Sequence, residues 1–232
     1  MRELFKQIKW QFLIFQRNNL ITMIVGITAF YMFVIYFLKD LGNIEKFTTL
    51  LIFNEPTMIG FIFIGLAIIL EKDQEVLSAL FITPVNHHFY LISRILTLSL
   101  ISMICALGMV LMAKGTSFNL IHFSIGVFSS CVIFSFIGIY VVSFTTEILH
   151  FILRSIPLIV LMSLPFFNYF DFTDLFIFKL FPVQGSLYLI DNSYSNSPNI
   201  SELIFGYISI AIWIPLLYWL VYRTFKSKLV NE

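Results

Sequence analysis

Charge is what this sequence has least of. Only 12% of its 232 residues are Asp, Glu, Lys or Arg, about half the roughly 25% usual in a soluble domain. Hydrophobic residues make up 59% and the mean hydropathy is +0.93. A soluble fold of this size could not hide so much apolar surface, so the chain belongs in a bilayer. That excludes nucleic-acid readers, secreted disulfide scaffolds and disordered tails together. An excess of one sign is missing too: the formal net charge is +1, so only the placement of charges is informative. Cysteine is nearly absent, and Cys105 and Cys131 fall inside apolar runs at no metal-ligand spacing. They read as small buried residues.

Catalytic signatures are also lacking. The sequence has no G-x-S-x-G elbow, no H-E-x-x-H helix and no G-x-x-x-x-G-K-[ST] phosphate loop. His87 and His88 are adjacent, so on a helix they point about 100° apart and read as solvated loop histidines. Asn199-Ile200-Ser201 fits a glycosylation acceptor only as a tripeptide, and Asp171 and Asp174 read as a polar boundary.

What is present is a series of apolar runs. Crossing the hydrocarbon takes roughly 20 residues, and six runs qualify: Leu20–Leu38, 50–70, 90–112, 120–144, 148–169 and 203–222. The first is too long for a signal-peptide core and no small-residue cleavage site follows it, so it is expected to remain as a span. With a cytoplasmic N-terminus the inner segments hold ten basic residues: Arg2, Lys6, Lys9, Arg17, Lys72, Arg94, Arg154, Arg223, Lys226 and Lys228. The outer ones hold four, Lys39, Lys46, Lys114 and Lys179. The positive-inside rule then puts both termini in the cytoplasm.

Two segments read as non-spanning. Residues 1–19 place Leu4, Phe5, Ile8, Phe12 and Phe15 on one stripe, opposite Arg2, Lys6 and Lys9. This predicts an amphipathic interfacial helix, with Trp10 and Leu13 interrupting its polar face as contacts to protein. Residues 175–190 are sixteen in number and contain Pro182 and Gly185, which predicts a re-entrant or interfacial pair of short helices on the outer side.

Small residues form stripes at Ser124, Cys131, Ser135 and Gly138, and at Ser99, Ser102, Ala106 and Ala113. Such stripes let helices approach closely in lipid, and packing within one bundle is favoured over a subunit interface. Glu55, Arg154 and Lys179 stand near the ends of apolar runs and are expected to reach an interface. No chain of Asp, Glu and His crosses the bilayer, which counts against a proton- or sodium-coupled carrier.

The informative stretch joins the second and third runs. Glu71, Lys72, Asp73 and Glu75 open it, Val76, Leu77, Leu80 and Phe81 follow at helical spacing, and Thr83-Pro84 stops the helix. Pattern alone allows a helix that docks into a soluble partner or an idle connector.

This stretch resembles the loop of type-2 ATP-binding-cassette (ABC) exporter permeases: an initial Glu, mixed charges, then Leu-x-x-Leu-x-x-Thr/Ser-Pro and a following span. Glu71, Leu77, Leu80, Thr83 and Pro84 match, while Glu75-Val76 stands where a Gly-Thr pair is common. Val-Leu-x-Ala-Leu-x-x-Thr-Pro is similar to some drug-export permeases. The likeness extends along the chain, and Phe181-Pro182-Val183-Gln184 looks like the family's element before the last span.

The resemblance implies an all-α integral membrane fold. An interfacial helix (1–19) would precede a six-span transmembrane domain (20–232), with a coupling-helix loop at 71–89 and an outer re-entrant hairpin at 171–200. Glu71, Asp73, Glu75, Leu77, Leu80, Thr83 and Pro84 would couple to an ATPase, and Pro182, Gln184 and Gly185 would belong to the re-entrant element or gate. The implied partners are a cytosolic ABC ATPase, a second permease, identical or a related sister, and membrane lipid, with no nucleic acid. ATP and Mg would sit on the ATPase and no cofactor on this chain, which would itself be no enzyme. The expected role is export of a drug, lipid or peptide across a bacterial cytoplasmic membrane. Rival readings are an integral membrane enzyme, a non-transporting immunity or assembly protein, and a secondary transporter. An enzyme would need polar catalytic groups clustered in the bundle, whereas a neighbouring gene for a lone nucleotide-binding domain would favour the permease.

Overall fold

The computed structural model describes residues 2–38, 45–76, 87–173, 175–195, 197–225 and 227–228. Every regular element among the described residues is helical. Six helices are long and apolar enough to cross a membrane: span 1 (Leu20–Leu38), span 2 (Lys46–Asp73), span 3 (His88–Lys114), span 4 (Leu120–Val142), span 5 (Ile148–Tyr169) and span 6 (Ile200–Phe225). The chain is an integral membrane protein. Contacts between successive spans define two ends, called here proximal (Arg17, Asp73, His88, Val142, Phe225) and distal (Lys46, Lys114, Leu120, Tyr169, Ile200).

Span 4 is the axis of the bundle. Of its most apolar stretch 83% is buried, against 17% in span 5 and 22% in spans 1 and 6. Small residues make this possible. A Cβ on Gly138 would lie 2.6 Å from the Phe61 carbonyl oxygen, and one on Gly60 would lie 2.4 Å from that of Cys131. Two backbones therefore touch where spans 2 and 4 cross, the close approach that stands in for hydrophobic association in lipid. Cys131, Ser135 and Gly138 are buried inside this one bundle, while Ser124 is half-buried.

Span 2 is longer than its apolar run. The helix passes through Pro56, which has no N–H for the carbonyl one turn back, and then through a π-helical stretch, Ile59–Phe63. Such wide turns absorb local irregularity and often mark functional places. Span 5 is attached lightly. In its main helix, Ile148–Ser163, only Phe151 and Ser155 are buried. The Phe151 ring rests where Gly65 has no side chain, 2.1 Å from the position of a Cβ.

The N-terminal helix runs Arg2–Arg17. Its inward residues are Gln11 and Phe15, while Trp10, Phe12 and Leu13 are exposed. Trp10 and Leu13 are about half exposed within this chain, and the side facing the start of span 3 carries Gln11 and Phe15. Asn19 at φ 58° turns the chain from this helix into span 1, a left-handed position that Asn tolerates better than most residues.

Between spans 5 and 6 stand a four-residue helix, Phe176–Lys179, and a longer one, Pro182–Ser193. The break therefore falls at Leu180-Phe181. Pro182 does not interrupt a helix but begins one, at the first position, where its missing N–H costs nothing. Gly185 does not interrupt it either. A Cβ there would lie 3.0 Å from the Gly206 carbonyl oxygen, so the glycine lets this distal helix lie against span 6. Twelve residues rise only about 18 Å, well short of the roughly 30 Å hydrocarbon core. The helix is tied down at the distal end, where the Asp191 carboxylate accepts from Tyr169 at 2.6 Å and from Thr49 at 3.3 Å. Burial holds that carboxyl above its ordinary range, against the opposing pull of these two hydrogen bonds.

Candidate functional site

The proximal end carries the residues singled out by sequence. Glu71 lies in the last turn of span 2, and Arg94 lies two turns into span 3. Both are buried, at 2% and 0% exposure. They form an ion pair, and the Tyr90 hydroxyl donates to the same carboxylate while accepting from the guanidinium at 2.6 Å. The four-residue spacing of Tyr90 and Arg94 puts them on one helix face. Aromatic rings close the cluster: the guanidinium carbon is 4.9 Å from the Tyr90 ring centre and 5.9 Å from that of Phe15. Phe225 of span 6 packs 6.2 Å from Tyr90. One ion pair thus joins the N-terminal helix, spans 2 and 3, and the end of span 6.

Glu71 is among the residues expected to couple to an ATPase. As a docking charge it would have to face a partner, but its carboxylate is turned into the bundle. Arg94, read as a charge at the edge of its run, is wholly buried for the same reason. Lys72 also points inward, donating to the Val142 and Thr145 carbonyls at 3.3 and 2.8 Å. Asp73 and Glu75 remain exposed. Glu75 ends the helix at φ 56°, a left-handed conformation that costs a non-glycine residue roughly 1 kcal/mol or more. Leu77, Leu80, Thr83 and Pro84 lie outside the described residues. The segment 77–86 is therefore bracketed by two stems, Glu71–Glu75 and the first turns of span 3, locked to each other by the ion pair.

His88 is no solvated loop residue. Its ring stacks on Tyr222 at 3.8 Å and hydrogen-bonds the Tyr218 hydroxyl, fastening span 3 to span 6. Among the described residues no group of His, Cys, Asp and Glu could hold a metal ion. The suggested gate residues Pro182, Gln184 and Gly185 come together in the first turn of the distal helix, where Gly185 lies against Gly206 and Ser209 of span 6. Gln184 is buried with its Oε1 unpartnered. This group sits apart from the Glu71 cluster.

A notch opens on the side of the bundle between spans 2, 4 and 5. Phe53, Asn54, Met58, Phe134, Ile159 and Phe166 are among its walls, and its volume is about 130 Å³. Pockets for drug-sized ligands usually measure about 300–1,000 Å³, so the notch is too small to enclose one. Its polar edge is built: the Asn54 amide donates to the Tyr31 hydroxyl at 2.7 Å, and that hydroxyl reaches the Met58 sulfur at 3.1 Å.

Behind this wall lies Glu55. It does not reach an interface as expected, being 1% exposed with the Thr28 hydroxyl 2.7 Å from Oε1. Asn54, Glu55 and Pro56 break the apolar run in sequence, and that polar break was the available sign of a group placed for a purpose. Arg154, by contrast, is exposed and donates to the Phe144 carbonyl at the proximal end.

The model of the fluoroquinolones export permease protein family matches residues 3–232. Among curated proteins, the chain is similar to two fluoroquinolones export permease proteins of Mycobacterium tuberculosis, from strains CDC 1551 / Oshkosh and ATCC 25618 / H37Rv. Each is 23% identical over 142 residues, which cover 61% of this chain and 60% of the relative's length. No solved structure matches.

Proposed function

The chain belongs to the fluoroquinolones export permease protein family, and from that premise we propose that it is the membrane half of an ABC drug exporter driven by a separate ATPase. Export permease membership over residues 3–232 carries this reading. The proximal cluster supports the coupling part. A coupling helix over Glu71–Thr83 that is pushed by an ATPase would move spans 2 and 3 together, because Glu71 and Arg94 join them. Leu77 and Leu80 are the anchors of that helix, Asp73 and Glu75 are rim charges, and Thr83-Pro84 is its stop. ATP and Mg belong to the ATPase.

The substrate is an aromatic drug, of the fluoroquinolone kind named for the relatives. The notch beside span 5 supports this, since aromatic and sulfur-bearing walls suit a flat ring and the Asn54–Tyr31 edge offers hydrogen bonds. At about 130 Å³ the notch needs a second wall, which a second permease supplies. Span 5 is the suitable contact, because Ile152, Ile156, Ile159 and Val160 are exposed along it. Both termini lie in the cytoplasm of a bacterial cell, the N-terminal helix rests in the inner interface, and the distal helix dips into the outer leaflet without crossing.

Recovery of ATPase with the tagged permease from its native membranes tests this. Truncating a buried interface anchor costs about 2 kcal/mol or more, and a rim charge little. Leu80→Ala is expected to reduce the ATP hydrolysis recovered with the permease at least several-fold, and Glu75→Ala to leave it near wild type. Equal recovery from wild type, Leu77→Ala and Leu80→Ala would remove the coupling role.

A further inference from the structure

Among the described residues Glu55 is a buried carboxyl that the transport reading leaves without a task. It sits on span 2 one turn before the π-helical stretch. Its Oε2 has no hydrogen-bond partner. From span 3, Ser102 and Cys105 face the carboxyl. Beyond them Ser99, Ser102 and Ser135 face the Cys131 thiol of span 4. These three serines are wholly buried, and their hydroxyls approach the two groups without a hydrogen bond of full geometry. Among the described residues the groups facing Glu55 are Thr28 from span 1, and Ser102 and Cys105 from span 3, none of them cationic. Tyr31 of span 1 and Cys131 are the other titratable groups that sense its charge. An ionised carboxylate without a cation inside the hydrocarbon is costly.

The hydrogen count at Thr28 favours one species. Its single hydroxyl hydrogen has two claimants, the Ile24 carbonyl at 2.9 Å and Glu55 Oε1 at 2.7 Å. A carbonyl oxygen only accepts, and so does an ionised carboxylate. Both short contacts are good hydrogen bonds together if the hydrogen between Thr28 and Glu55 comes from the acid. The chain then runs from Glu55 Oε1–H to Thr28 Oγ, and from Thr28 Oγ–H to the Ile24 carbonyl. Oε2 becomes the acid's carbonyl oxygen, open to a hydrogen from Ser102.

We propose that Glu55 is an internal proton-binding site, holding a proton on Oε1 that clasps span 1 to span 2 through Thr28. Releasing that proton strands a charge between the spans, so water must enter and span 1 must loosen. The ligand is a proton from bulk water, and the buried serines accept or pass on its hydrogen bonds. The proposal is independent of the substrate and of the ATPase.

Infrared titration of the purified chain in lipid nanodiscs tests it. The expected result is a protonated-carboxylic-acid C=O band at neutral pH, lost in Glu55→Gln and kept in Asp191→Asn. Thr28→Val retains the acid but removes its acceptor, so the band should persist and shift to higher frequency. Thermal unfolding supplies a second readout: wild type should lose stability from neutral to alkaline pH by a step that Glu55→Gln lacks. An acid band unchanged in both Glu55→Gln and Thr28→Val would overturn the proposal. Stabilisation of wild type by sodium or potassium over choline, absent in Glu55→Gln, would also overturn it and assign a metal cation in place of the proton.

Discussion

At the residue scale, two kinds of contact decide the fold, and they fail in different ways. Where spans 2 and 4 touch, Gly60 and Gly138 face backbone that cannot step aside, at 2.4 and 2.6 Å from where a Cβ would be. Overpacking of this kind typically costs about 1–3 kcal/mol. Gly138→Ala should therefore lower the thermal unfolding temperature in detergent, whereas Gly26→Ala, with nothing within 4 Å, should leave it unchanged or slightly raised. The Glu71–Arg94 pair behaves otherwise. Removing one partner of a buried pair costs about 3–5 kcal/mol because the other charge is stranded, while replacing both with apolar residues is often near neutral. Glu71→Leu alone is expected to destabilise strongly, and Glu71→Leu with Arg94→Met to recover most of the loss, as read by the same melts. Glu71 was visible in the sequence as the head of a motif, but its partner was not, because Arg94 returns to it only once the intervening loop has folded back. The Tyr90–Arg94 spacing was the available hint.

At the element scale, hydropathy located all six spans, since a run of some 20 apolar residues has few other uses. It placed their ends less well. Span 2 begins at Lys46 rather than at residue 50 and keeps its helix through Pro56, because the buried neighbours on span 4 hold it where propensity would break it. The helix Pro182–Ser193 differs in the opposite sense, since Pro182 and Gly185 predict breaks in the sequence and the helix is continuous through Gly185. A proline at the first helical position and a glycine at a crossing are both compatible with a continuous helix, and only the packing against span 6 distinguishes these uses. This helix also carries a pH-sensitive tether in Asp191. Its folded-state pKa is raised, so its contribution to stability is present below the ordinary Asp range and is lost as pH rises through the folded value. Asp191→Asn keeps an oxygen to accept from Tyr169 and Thr49 while removing the titration. The variant is expected to show a flatter melting temperature across the window just above the ordinary Asp pKa; an unchanged slope would mean that the tether does not titrate there.

At the scale of the whole molecule, the arrangement of the two ends makes topology and mechanism one question. The proximal end gathers the N-terminal helix, the stems of 77–86 and the last turn of span 6 around one buried ion pair, while the distal end carries the helix Pro182–Ser193 and its tethers. An ATPase that supplies its own nucleotide site must approach from the cytoplasm, so the coupling reading requires the proximal end to face inward. The basic residues give the same direction by an independent route: ten of fourteen fall in the proximal segments, and the K/R bias of short loops sets orientation in the membrane. Cysteine labelling checks it directly. In a background with Cys105 and Cys131 replaced, a cysteine at Asn196, in the distal connection before span 6, should react in intact cells with a membrane-impermeant maleimide. One at Asn86, in the proximal connection before span 3, should react only after the cells are opened. The reverse pattern would turn the bundle over, put residues 71–86 outside, and leave an ATP-driven coupling helix with no ATPase to meet.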